Sequence, residues 1–376
     1  MNDFMIVKYF SQTTLVATEQ FLNSLNADQA VKSILILGCD KNNLCQQEVD
    51  RILIKQKKPV FGGVFPGIIY NDKQYEYGFL IAGLAVAVES LVIKNISSPD
   101  TDFSNIFLNN AQRFSKTKTF FVLIDGLSTQ IARFIDSLFM VFGLNYNYIG
   151  GGAGSLSFEQ KPCIITNEGL LQDTAIISSV SLSSEISVKH GWNTIAGPYK
   201  VTQAKGTEII ELDYQPAFNI YAEVVQQHSK QSISPTNFFD IAKSYPFGVN
   251  KIDAEDIVRD PISVSQNKGL ICVAEVDKGA FVEILHGNRQ SLINAAHHAV
   301  QFANNQIPEN NWHFTFIVEC ISRVLFLEDD FSHELMVVRS HREEVPLIGI
   351  LSLGEIANNG KDYLEFYNKT VVVGCF

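Results

Sequence analysis

The sequence predicts a mixed α/β fold: repeated strand–helix–strand–hairpin units that form mixed sheets flanked by helices. Three observations carry that prediction. An apolar strand, an amphipathic segment and a second strand ending in a glycine-containing turn recur three times along 376 residues. The leading strands are apolar on both faces, as central strands covered by helices must be. The stretches trailing the turns are short and punctuated by Asn-Asp, Asn-Glu-Gly and Asn-Asn-Gly, which favour antiparallel hairpins over parallel crossovers.

In the first copy the leading strand spans 33–40 (SILILGCD), the glycine turn 61–67 (FGGVFPG), and the trailing strands 75–80 and 84–93. A weak helical face (Phe103, Ile106, Phe107, Phe114) precedes the second copy, which leads with 119–126 (TFFVLIDG). Ile131, Phe134, Ile135, Leu138, Phe139 and Phe142 then fall on one continuous face of a 3.6-residue helix. The turn follows at 149–155 (IGGGAGS), with trailing strands at 163–166 and 173–180. A different stretch comes next: a hairpin over 199–213 turning near Lys205-Gly206, and a helix over 216–226 entered through proline. The polar segment 229–237 is the expected linker or exposed loop, followed by strands at 269–276 and 279–286 and a helix from Arg289 to about Asn304. The third copy leads with 313–321 (HFTFIVECI), turns at 348–355 (IGILSLGE) and closes at 371–374. The length exceeds what one small core organises, so two domains are expected, 1–220 and 221–376.

Composition narrows the function classes. With 46% hydrophobic and 18% charged residues, the chain cannot be intrinsically disordered. Lys and Arg number 29 against 40 Asp and Glu, a net charge of −11 that repels phosphate backbones. The cluster Lys55, Lys57 and Lys58 has no interleaved aromatics and reads as a solvated helix face, so no nucleic-acid partner is expected. The longest apolar run, 79–88, stops at Glu89, well short of the roughly 20 residues a membrane helix needs. No membrane partner follows from it. The N-terminus lacks a secretory pattern, and the cysteines (Cys39, Cys45, Cys163, Cys272, Cys320, Cys375) form no C-x-x-C pair. Reduced thiols in the cytoplasm are the expectation.

Catalytic and cofactor motifs mostly fail. Phosphate loops lead into a helix whose amides face the phosphate, but the 150–155 glycines lead toward a strand, and no P-loop lysine is present. Glycine here permits close backbone approach, or else lines a pocket through Gly63, Gly151, Gly152 and Gly354. There is no G-x-S-x-G elbow. His333-Glu334 opens like H-E-x-x-H, but Val337 occupies the second ligand position, and the adjacent His297 and His298 diverge on their helix toward solvent. No metal site is expected, and the chain is not expected to be an enzyme. More informative are polar groups beside strand ends. His190 precedes Gly191, which leaves room for close approach. Arg323 follows an apolar strand and must find an anion, with Glu355, next to Gly354, as its natural partner. That pair either ties two segments together or leaves Arg323 free to anchor a ligand carboxylate.

In order along the chain, His190-Gly191-Trp192, Val201-Thr202, Leu212-Asp213, Pro216-Ala217 and Tyr221 are joined by Gly150–Gly154, Cys320-x-x-Arg323, Gly354-Glu355-Ile356 and Asn368-x-Thr370. This pattern resembles the FIST family, the F-box and intracellular signal transduction sensory domain, from about residue 33 to the C-terminus. The resemblance implies an N-terminal and a C-terminal FIST domain, and a sensory role. Together with the glycine turns, this makes Gly63, Gly151, Gly152, His190, Arg323, Gly354, Glu355 and Asn368 the expected ligand-binding residues. The leading expectation is a stand-alone cytoplasmic sensor that binds a small ligand, an amino acid or similar metabolite. With no room for an output domain, it would signal through a separate partner, a histidine kinase or a cyclic-dinucleotide signalling protein. The alternative is a haem-binding nitric-oxide sensor regulating a histidine kinase, with His190, His286 or His313 as axial ligand. A cysteine-dependent hydrolase is the third class, for which spacing offers no Cys/His pair.

Overall fold

Strands apolar on both faces can only lie between layers, and each leading strand sits fully buried inside its own six-stranded sheet. The computed structural model describes residues 4–11, 15–251, 255–306, 312–358 and 362–376. β1 (Met5–Phe10) and α1 (Leu15–Ala27) precede the first unit: β2 (Ser33–Cys39), α2 (Gln46–Leu53), β3 (Val60–Phe65), the hairpin β4 (Gly67–Tyr70) and β5 (Lys73–Tyr75), then β6 (Phe79–Leu84) and β7 (Val88–Lys94). The second unit repeats this order. It runs α3 (Phe103–Asn110), β8 (Thr119–Asp125), α4 (Ile131–Phe142), β9 (Asn147–Ala153), the hairpin β10 (Ile164–Thr166) and β11 (Gly169–Leu171), β12 (Thr174–Val180) and β13 (Glu185–Lys189).

An insert follows: β14 (Asn193–Lys205), β15 (Glu208–Leu212), β16 (Gln215–Pro216), α5 (Ala217–Ser229), α6 (Phe238–Ala242), β17 (Phe247–Val249), β18 (Ile257–Arg259), β19 (Pro261–Val264), β20 (Leu270–Cys272) and β21 (Phe281–His286). The third unit is α7 (Arg289–Gln306), β22 (Thr315–Cys320), α8 (Ile321–Leu327), α9 (Phe331–Arg339), β23 (Leu347–Ser352), the hairpin β24 (Glu355–Ala357) and β25 (Glu365–Tyr367), and β26 (Val371–Cys375).

The three core sheets share one plan: β1-β6-β2-β3-β10-β11, β7-β12-β8-β9-β24-β25 and β13-β26-β22-β23-β4-β5. Only the central pairs β2/β3, β8/β9 and β22/β23 are parallel among these neighbours. Each unit sends its hairpin to another unit's sheet: β4 to β23, β10 to β3, β24 to β9. The edge strands also cross, β7 to the second sheet and β13 to the third, while β1 fills that place in the first. The three units are thus interlocked in a cycle. The first sheet is drawn wholly from residues before 220, whereas the other two take strands from both sides of it.

Two expectations change. The glycine segments at 61–67, 149–155 and 348–355 are largely strand, not turn. Within them, a β-carbon on Gly62, Gly150 or Gly349 would lie 1.8, 1.8 or 2.3 Å from the carbonyl oxygen of Ile36, Val122 or Ile317 on the paired leading strand. Glycine is needed there because the parallel neighbour's backbone occupies the side-chain position. Of the two alternatives for the polar segment 229–237, the structure shows an exposed loop: it joins α5 to α6 inside the insert, with Ile233 buried. The strands expected at 269–276 and 279–286 are the shorter β20 and β21. α4 forms as its period predicts, with Phe134, Ile135, Leu138, Phe139 and Phe142 buried. The insert folds about an apolar core of its own, from Val201 and Tyr221 to Ile284. No described helix is long and apolar enough to cross a membrane.

Candidate functional site

The C-terminal end of β22 is where the expected polar residues gather. β22 is buried along its whole length, yet it carries Glu319, and α8 starts at once, placing Arg323 one helical turn beyond. Both side chains are fully buried. Arg323 does not pair with Glu355. Its Nε donates to Glu319 Oε1 (2.5 Å), Nη2 to Glu334 Oε2 (2.6 Å) and the Leu292 carbonyl (3.3 Å), and Nη1 to the His190 carbonyl (2.6 Å). α9 brings Glu334 in on its apolar face beside Phe331, Leu335 and Val338, which is why proximity in sequence to Gly354 misled. All three guanidinium nitrogens donate to protein groups and the side chain is fully buried, which ties Arg323 into the fold instead of presenting it to a ligand carboxylate.

Two carboxylates against one guanidinium leave a surplus charge. Burial raises the affinity of Glu319 for a proton well above the ordinary carboxyl range, and Glu334 beside it raises it further; burial raises that of Glu334 as well, against the pull of Arg323. Glu319 Oε2 and Glu334 Oε1 have no hydrogen-bond partner among the described residues. Burial thus holds the surplus carboxyl toward its protonated form.

Glu355 is buried in a separate but adjoining nest. Its Oε1 accepts from Ser352 Oγ (2.7 Å), and its Oε2 from the Thr370 hydroxyl (2.8 Å) and amide (3.2 Å). Burial pushes its carboxyl up to about 7 despite those bonds. Ser352 Oγ also approaches the Glu319 carbonyl (3.4 Å), and the Cys320 amide donates to Thr370 O (3.2 Å), so the two clusters are continuous.

A third cluster joins the insert. Lys369 is 1% exposed; its Nζ meets Asp260 Oδ2 (3.1 Å) and the Lys243 carbonyl (2.9 Å) and lies 4.9 Å from the Trp192 ring. Trp192 Nε1 donates to the Lys369 carbonyl (3.1 Å). Burial raises the Asp260 carboxyl, opposed by Lys369. Asp260 Oδ1 and Asn368 Oδ1 are buried without a partner among the described residues. Sequence reasoning missed Glu319, Glu334, Asp260 and Lys369. The signals were present: Glu319 and Arg323 stand four apart, and Glu334 interrupts an apolar helical face.

The structure places His190 at the head of this network, after β13. Its Nδ1 accepts from the Trp192 amide (2.9 Å), and Nε2 lies 3.5 Å from Glu255 Oε1. Burial pushes the imidazole down to about 4, partly offset by Glu255. Gly191 gives no open space, since a β-carbon there would lie 2.6 Å from the Ser291 carbonyl of α7. Haem does not fit these residues: an axial histidine needs a free nitrogen facing an apolar cavity, and both nitrogens of His190 are engaged. His286 packs against the rings of His228 and Tyr245, and His313 stacks on Phe4 at 4.2 Å. His297, expected in solvent, meets His341 in the turn after α9 (3.1 Å).

The glycines do converge. Gly152 N donates to Gly354 O (2.8 Å), and Leu353 N to Gly152 O (2.9 Å). A β-carbon on Gly151 would sit 2.8 Å from Gly354 O, and one on Gly63 3.3 Å from the Ala153 Cβ. Backbone fills the space at Gly151 and Gly152, and the Phe366 ring fills it at Gly354; these residues bring the units into contact, and His190, Arg323, Glu355 and Asn368 lie in the polar network beside them. Among the cysteines, only Cys45 is exposed. Burial pushes the Cys39, Cys272 and Cys320 thiols up to about 12 and raises Cys163 and Cys375 well above the ordinary range, which holds these five as protonated thiols.

Comparison with known families matches residues 46–215 to the FIST N domain and residues 217–358 to the FIST C domain; the chain belongs to the FIST family of sensory signal-transduction domains. No curated protein matches it.

Proposed function

We propose that the chain senses a small ligand, an amino acid or similar metabolite, at the junction between the third unit and the insert, and reports by contact with a separate signalling protein. A histidine kinase or a cyclic-dinucleotide enzyme is the kind of partner the family implies. The observation behind the proposal is the pair of unsatisfied acceptors, Asp260 Oδ1 and Asn368 Oδ1, one on the partner of Lys369 and the other on its chain neighbour. A buried acceptor without a donor costs about 1–3 kcal/mol, so the junction favours a guest that donates hydrogen bonds. An ammonium group has three such donors and no acceptor. Thermal unfolding in the presence of amino acids and related amines tests this. A true ligand at a hundredfold excess over Kd adds about 2.7 kcal/mol of stability, and Asp260→Asn with Asn368→Ala removes the gain. A flat response across the set refutes the proposal.

A further inference from the structure

A second feature lies in the second unit, away from the junction. Ala87, Glu89, Arg113, Lys116, Ser179 and Ser181 are among the residues that surround a groove of about 320 Å³. Its origin is legible in side-chain size. Ser179, near the end of β12, pairs with Glu89 of β7 on one side and Phe120 of β8 on the other. Phe120 is covered by Phe114, at a ring distance of 5.3 Å, and the helical segment that supplies Phe114 ends there. Past that point the sheet offers only Ala87, Ser179 and Ser181, so small side chains leave a hollow where larger ones would have packed.

The lining is built for an anion. Glu89 is neutralised by Arg113, whose Nε donates to its Oε1 (2.8 Å) and whose remaining nitrogens bind Asn110 Oδ1 (3.0 Å) and the Ser90 carbonyl (3.1 Å). Lys116 on the rim carries no ion pair among the described residues, so the lining holds one positive charge in excess on a chain of net charge −11. Thr117, also in the lining, is 8% exposed, and its Oγ1 is buried without a partner among the described residues. The hydroxyls of Ser115, Ser179 and Ser181 likewise make no bond to those residues. One uncommitted ammonium and the three uncommitted serine hydroxyls match a tetrahedral oxyanion: each oxygen accepts several hydrogen bonds, and the charge meets Lys116.

We infer that this groove binds phosphate, free or as the head of a phosphate monoester. Titrating the whole chain with inorganic phosphate and with glycerol phosphate, at ionic strength matched with chloride and followed by calorimetry, tests the assignment. Saturable binding is expected, weakened about tenfold or more by Lys116→Ala, an exposed substitution that leaves the fold intact, and abolished by Ser179→Val with Ser181→Ile, which fill the hollow. Tighter binding of the monoester identifies an organic phosphate as ligand, and equal binding identifies phosphate itself. No saturation below about 10 mM, or binding indifferent to Lys116→Ala, overturns the inference.

Discussion

Arg323 carries its charge at zero exposure, and its surroundings decide what the loss of each partner does. Removing one member of a buried ion pair strands the other, at a cost of about 3–5 kcal/mol, so Arg323→Ala should lower stability to denaturant by that amount, and Glu334→Ala by less, because Glu319 stays 2.5 Å from the guanidinium. Glu319→Gln should cost less than about 1 kcal/mol, because glutamine imitates the protonated carboxyl that burial and Glu334 enforce. A loss for Glu319→Gln as large as that for Arg323→Ala in urea titrations would refute a protonated Glu319. A pH prediction follows from the neighbours. Glu355 rises from 4.5 to about 7 on folding, so its contribution is complete below pH 4.5 and lost as pH rises to 7; relative to Glu355→Gln, the wild type should lose about 3 kcal/mol across that window. His190 falls from 6.5 to about 4, so it stabilises above pH 6.5 and fails as pH drops to 4, and relative to His190→Asn the wild type should lose a similar amount on acidification. The two effects oppose each other between pH 4.5 and 6.5, and only the variants separate them. At this scale the sequence discloses that Arg323 needs an anion. It does not disclose which one, because Glu334 arrives on a helix whose packing is a tertiary fact.

Gly62, Gly150 and Gly349 do the same work in β3, β9 and β23, each lying over a carbonyl of the leading strand. The overlap cannot be relieved by a rotamer change, since the obstacle is backbone. Alanine at any of the three should therefore cost about 3 kcal/mol or more, measured by denaturant midpoint or by loss of soluble protein. Gly143 provides the contrast: with nothing within 4 Å of a β-carbon, its alanine variant pays no steric overlap and only the cost of a glycine-favoured backbone (φ +67°, ψ −155°), about 1–3 kcal/mol. Equal tolerance at Gly150 and Gly143 would show that the sheet can shift to make room. α4 was legible because six apolar residues in one stripe leave no other secondary structure possible. The glycine strands were not, since a residue without a side chain carries no alternation and reads as a turn until its neighbour's carbonyl is seen.

The cycle of swapped hairpins is a property of the whole chain. Three copies of one pattern could be read from the sequence, but not the exchange between them: β4 finds β23 some 280 residues later, a distance no local pattern encodes. Exchange makes each sheet depend on another unit, so the three units should unfold together in a single transition by circular dichroism and fluorescence alike. The same geometry closes on itself. β1 takes in the first sheet the place that β7 and β13 take in theirs, which is where a strand following β26 would belong. The two ends of the chain meet at one residue, because Phe4 stacks on His313, while the His313 amide donates to the Phe376 carbonyl (2.5 Å). A circular permutant that joins the two ends through a short flexible linker and opens at the exposed residues Lys230–Gln231 should therefore fold, since every strand pair is kept and loop closure grows only slowly with length. Opening instead at Pro66, buried between β3 and β4, should abolish folding, because it frees the hairpin that completes the third sheet from the strand that anchors it. If the Pro66 permutant folds as well as the other, the hairpins are held by pairing alone and the cyclic linkage adds nothing to cooperativity.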